Sequence, residues 1–111
     1  MSRVAVIVPL RPGMLETARR LIAEGPPFAL DDTPLLAHCV HLTDREAVFV
    51  FEGPAAREAV EHVLGEASVW QAATAWRACL DGKPRLAETV FAWRRAAGAQ
   101  PSPSSAPDQA L

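Results

Sequence analysis

Two runs, VAVIV at residues 4–8 and AVFVF at residues 47–51, are apolar at every position. Short runs rich in β-branched and aromatic residues read as strands, and successive side chains of a strand point to opposite faces of its sheet. Both faces of these two strands are therefore apolar. An antiparallel sheet with one face in water alternates apolar and polar residues instead. Fully burying a Val or Phe side chain is worth roughly 1.5–3 kcal/mol. About half a dozen such residues left in water would forfeit an energy comparable to the ~5–15 kcal/mol net stability of a domain. A fold built on these strands needs cover on both faces. Helices supply one cover, and the least demanding second cover is another copy of the same sheet, because twofold homodimers are the commonest oligomers.

The rest of the chain supplies those helices. Leu15, Ala18, Leu21 and Ile22 recur at helical spacing, with Pro12 near the start and Gly25, Pro26 and Pro27 as a stop, which predicts a first helix. Residues Leu35–Leu42 read as a second strand, joined by the tight connection TDRE to a third over Ala47–Phe51. If that turn closes symmetrically, Leu42 faces Ala47, Val40 faces Phe49 and His38 faces Phe51 on one face; His41 faces Val48 and Cys39 faces Val50 on the other. Pro54 opens a helix with Ala56, Val60, Val63 and Leu64 on one stripe, broken near Gly65. Ser68 with Gln71 has the form of a capping box, predicting a further helix to about Leu80, and Leu86–Trp93 reads as a fourth strand. The order strand, helix, strand, strand, helix, strand predicts an α+β, ferredoxin-like βαββαβ domain over residues 1–97. It has a four-stranded antiparallel sheet, helices on one face and a second helix in two parts. From Gly98 onward, Pro, Ser and Ala dominate, and residues 98–111 are expected to form a disordered tail.

This element order, the two-part second helix and the strand-to-helix opening VAVIVPLRPGMLETARRLI resemble the dimeric α/β-barrel superfamily, over residues 3 to 94. That superfamily includes antibiotic-biosynthesis monooxygenases, haem-degrading enzymes, muconolactone isomerases and stress-responsive barrel proteins. The resemblance implies a homodimer paired through its sheet faces and a ligand pocket between sheet and helices. Haem degradation and cofactor-free oxygenation in the family rely on Asn together with Trp and His or Tyr. This chain has neither Asn nor Tyr, so those mechanisms do not carry over as they stand.

The candidate chemistry is sparse. HCVH at residues 38–41 has the look of a metal site, but His38 and His41 are three apart on a strand and point to opposite faces. Cys39 and His41 share a face, and zinc wants four ligands, which no nearby cluster completes. No metal and no cofactor is expected; elemental analysis of the purified protein should find no stoichiometric zinc, iron or copper. His38, at the end of an aromatic strip, and His41, among valines, are the candidate acid/base residues. Phe49, Phe51, Trp70 and His38 are the candidate pocket lining. Asp31, Asp32, Glu52 and Glu88 are further titratable groups near these strands. His62 falls on the helix side opposite Val60, Val63 and Leu64 and reads as solvated; Trp76, in a stripe with Val69, Ala73 and Leu80, reads as core.

Composition limits the partners. The 111 residues make one domain, 50% hydrophobic and 22% charged, with a formal charge of −2 that offers no general attraction for nucleic acid or anionic membrane. REAVFVFEGPAAREAVEHVL is similar to the third strand and second helix of RNA-recognition motifs, but lacks their glycines and a basic border. With no secretory h-region or membrane span in the pattern and two cysteines read as reduced thiols, a cytoplasmic location is expected. These residues predict a homodimeric α/β-barrel module that binds a small apolar ligand or a protein partner. The alternative is a cofactor-free monooxygenase, isomerase or cyclase acting on an aromatic or polyketide-like molecule.

Overall fold

A computed structural model of the chain describes residues 2–95; the predicted tail, residues 98–111, lies outside the described residues. Strands β1 (Ser2–Pro9), β2 (Ala37–Leu42), β3 (Glu46–Gly53) and β4 (Arg85–Glu88) form one antiparallel sheet in the order β2-β3-β1-β4. Helix α1 (Leu15–Ala23) crosses from β1 to β2; α2 (Ala56–Leu64), α3 (Ala67–Ala72) and a 3₁₀ segment at Thr74–Ala78 cross from β3 to β4. This is the ferredoxin-like arrangement, with the helical layer on one face. The two wholly apolar runs become β1 and β3, the adjacent central strands.

Side-chain alternation then sorts the sheet. Val4, Val6 and Val8 of β1, with Ala47 and Phe51 of β3, are buried under the helices beside Ala18, Leu21, Ala56 and Val60. Ala5 and Ile7, with their partners Val50 and Val48, lie on the opposite face and are only half-buried in the single chain. The observed β2–β3 register pairs His38 with Phe51, Cys39 with Val50, Val40 with Phe49, His41 with Val48 and Leu42 with Ala47, as the turn predicts. Thr43 holds that turn: its hydroxyl accepts the N–H groups of Arg45 (3.1 Å) and Glu46 (2.9 Å).

Three expectations need correcting. β2 begins at Ala37, not Leu35, because residues 34–36 bend over the end of β3: a Cβ on Gly53 would stand 3.0 Å from the Pro34 carbonyl oxygen and 3.1 Å from Leu35 Cα. The predicted helix from Ser68 to Leu80 is a short α-helix followed by a 3₁₀ segment, and Glu66 occupies the N-cap position in place of Ser68. The cause lies one turn back. Trp70 Nε1–H donates to the Leu64 carbonyl at 2.6 Å, so the indole satisfies a free carbonyl at the end of α2 and ties α3 against it. Finally, β4 stops at Glu88 instead of reaching Trp93. Its last pair is Glu88 with Val4; beyond it the Arg3 carbonyl of β1 accepts the Thr89 hydroxyl at 3.3 Å, and the strand pairing goes no further.

The start of α2 is held from a distance. Ala55 is left-handed (φ 53°) and has no capping side chain, but Ser2 Oγ, 54 residues from Ala56, accepts the Ala56 N–H at 2.8 Å and donates to the Gly53 carbonyl at 3.1 Å. Ser2→Ala is expected to destabilise the fold by about 1 kcal/mol, the usual cost of a lost N-cap, measurable by urea unfolding.

Candidate functional site

A cleft of about 490 Å³ lies between the helical layer and the sheet and is partly open to solvent. Its floor is the helix-facing side of β1, β2 and β3. Alternation puts His38 and Val40 of β2 there, beside Phe49 and Phe51 of β3. Its walls come from Pro26–Phe28 after α1, from Val60, Val63 and Leu64 of α2, and from Trp70 and Trp76. The pocket candidates His38, Phe49, Phe51 and Trp70 all line it, and Trp76, expected as core, lines it too. No Lys, Arg, Asp or Glu contributes to the lining.

The aromatic groups are ordered. The His38 ring stacks on Phe51, centroids 4.3 Å apart and planes 13° apart, and lies nearly parallel to Phe49 at 6.3 Å. Phe28 backs Phe51 at 6.4 Å, and Trp76 meets Phe49 at 5.7 Å in a T-shaped contact. The result is a face-to-face His38–Phe51 stack with Phe49 nearly parallel beside it and the Trp76 indole edge-on to Phe49. His38 Nδ1 lies 3.0 Å from the Val50 carbonyl oxygen. A second, more polar cavity of about 370 Å³, lined by Asp31 and Thr33 among others, shares Leu35 and His38 with the cleft.

The other candidates are elsewhere. The His41 and Cys39 side chains are exposed, Sγ to Nε2 3.6 Å; Cys39 also contributes to the cleft lining, whereas His41 does not and does not join His38. Among the described residues no group of three or more His, Cys, Asp or Glu is arranged to hold a metal. His62 is exposed and pairs with Glu66 at 3.1 Å. Asp32 and Glu88 are exposed and do not line the cleft.

Glu52 is committed to a structural role on the uncovered face. Its Oε2 receives Arg3 and Arg94, each at 2.8 Å. The Arg3 hydrogen bond first, and then that of Arg94, hold its carboxyl below the ordinary value of 4.5. Because the folded value is depressed, the stabilising contribution is full above the ordinary carboxylate range and is lost as pH falls through the lowered value. Arg94 belongs to the segment after β4, so this carboxylate ties that segment to the sheet. The backbone order of residues 89–95, measured by ¹⁵N relaxation, is expected to fall in Glu52→Gln, and in the parent chain as pH drops through the lowered carboxyl value. Unchanged order in both cases would contradict the tether.

No family model and no curated protein matches the chain. Among solved structures it is similar to a protein of Chloroflexus aurantiacus J-10-fl assigned as an antibiotic biosynthesis monooxygenase: 21% identity, 84% of this chain and 98% of that one covered, TM-score 0.47. No helix among the described residues is long and apolar enough to cross a membrane.

Proposed function

We propose that the protein is a homodimeric module, paired through its uncovered sheet faces, whose cleft binds a small apolar ligand. The observation that carries the reading is the cleft itself. About 490 Å³ is within the usual size of small-molecule sites, and an apolar lining with one convergent polar group is their usual composition. Dimerisation rests on two features of the single chain. The middle of the uncovered face is apolar through Ala5, Ile7, Val48 and Val50, with the ion pairs Arg3–Glu52 and Arg85–Glu46 at its ends. The segment after β4 leaves Val90, Phe91 and Trp93 exposed at 85%, 81% and 70%. A second copy covers the first and offers a surface to the other three.

A cofactor-free oxygenase, isomerase or cyclase acting on an aromatic molecule is the second reading, favoured by a histidine on the cleft wall. General acid or base catalysis by one such group contributes about 10²–10⁴-fold, but no second titratable side chain faces His38 across the cleft. Sedimentation at micromolar concentration, with naphthalene-type ligands titrated by equilibrium dialysis, tests the proposal. A dimer that binds them, with His38→Ala altering binding and leaving the dimer intact, is the expected result. A ligand-free stable monomer overturns the assembly, and failure of any apolar aromatic to bind overturns the ligand reading. Turnover abolished by His38→Ala would move the conclusion to the second reading.

A further inference from the structure

We infer that the cleft recognises a hydrogen-bond donor: its ligand is an uncharged apolar molecule carrying a phenolic or enolic hydroxyl that donates to Nε2 of His38. The inference rests on the proposed ligand-binding reading of the cleft and adds the polarity of the group that reading leaves open. A carbonyl oxygen only accepts, so the 3.0 Å contact between His38 Nδ1 and the Val50 carbonyl requires the hydrogen to sit on Nδ1. Neutral imidazole carries one N–H, and Nε2 is then left with a lone pair and no hydrogen. Among the described residues Nε2 makes no hydrogen bond. A ligand group that meets it must donate, which a hydroxyl does and a ketone, ether or carboxylate does not.

The surroundings restrict the rest of the molecule. His38 is stacked on Phe51, Phe49 lies nearly parallel at 6.3 Å and Trp76 meets Phe49 edge-on, so the body that lies against His38 is surrounded by aromatic rings. With no Lys or Arg in the lining, an anion would give up its hydration for nothing, and Asp31 beyond His38 adds a charge of the wrong sign. The Trp70 N–H is already given to Leu64, which leaves the Trp76 indole as the competing polar edge.

The test uses 2-naphthol, 2-methoxynaphthalene and 2-naphthoate, three ligands of one ring system that differ in donor, acceptor and charge. Their affinities for the full chain are measured by equilibrium dialysis at neutral pH. We expect 2-naphthol to bind about 3- to 10-fold more tightly than the methyl ether, the worth of one hydrogen bond, with the naphthoate weakest. His38→Phe keeps a ring on Phe51 and removes the acceptor. It should erase the preference for 2-naphthol while the methyl ether binds within about twofold of its parent affinity, since an unpaired hydroxyl costs affinity in an apolar site. Long-range ¹⁵N–¹H correlation of the parent protein supplies a readout that needs no variant: the Nδ1–H form of His38 is expected, with the Nε2 shift moving when 2-naphthol is added. The methyl ether binding as well as or better than 2-naphthol would overturn the inference and point to the Trp76 N–H. So would tightest binding by the naphthoate, or an Nε2–H tautomer. In each of those cases a ligand still binds and the apolar cleft stands. If none of the three binds the folded protein, the ligand reading of the cleft fails and the inference with it.

Discussion

Val50→Asp is expected to convert the proposed dimer into a folded monomer. Val50 sits on β3 in the middle of the uncovered face, between Cys39 on β2 and Ala5 on β1, with no cation directly opposite it in the register. In the monomer an aspartate there is half-exposed and hydrated, so its cost is limited to the ~1 kcal/mol scale of strand preference. In a face-to-face dimer the twofold operation introduces two carboxylates into one apolar interface. The effective penalty for each uncompensated buried ion is several kcal/mol, so association should weaken by at least about a hundredfold. Sedimentation velocity of the parent and variant at equal concentration measures this, with far-UV circular dichroism to verify the fold. Glu46→Gln, at the charged end of the same face, serves as a control. Its ion pair with Arg85, at 3.7 Å between partly exposed groups, is worth little, and the dimer should survive. A Val50→Asp protein that sediments as the parent does would mean the dimer uses another surface, the exposed segment after β4 being the next to test.

Phe51→Ala is expected to be the most damaging single truncation in the site. Phe51 is 5% exposed and is gripped from three sides: by Val4 as its partner in the sheet, by Phe28 at 6.4 Å, and by the His38 ring stacked at 4.3 Å. Removing a buried phenyl costs about 3–5 kcal/mol, from lost transfer energy and the cavity left behind. That is a large share of a domain's ~5–15 kcal/mol. For a domain of this size the melting temperature should drop by roughly 12 °C or more. Phe49→Ala provides the internal comparison. Phe49 is only half-buried and faces the open cleft, so its truncation should cost less stability while lowering the affinity for an apolar ligand. Equal losses of stability in the two variants, measured by thermal unfolding, would show that the cleft is closed in solution.

How much of this was legible in the chain follows from the range over which each signal acts. A run such as AVFVF carries period-2 alternation within itself, and TDRE carries its own turn, with Thr43 taking two N–H groups across a gap of three residues. Both act over a few bonds, so strand identity, the β2–β3 register and the separation of His38 from His41 could be read in advance. The lining of the site by His38, Phe49 and Phe51 followed from that register. Trp70 was legible as a candidate for the pocket lining. That its indole would close the end of α2 depends on where α3 docks, which periodicity does not specify. Ser2 as the cap of α2 left no local signature, because donor and acceptor are 54 residues apart.

By itself, then, the sequence determined that this chain builds a ferredoxin-like sheet whose two central strands are apolar on both faces, and which side chains share each face. The tertiary structure decided where β4 stops, because after Glu88 the Arg3 carbonyl of β1 accepts the Thr89 hydroxyl. It also decided that helices meeting over Phe49 and Phe51 leave a space beside His38. Strand faces are set by stereochemistry between neighbours in the chain, whereas a cleft is what remains after separate elements have packed. Its existence depends on distances between elements that no local pattern encodes.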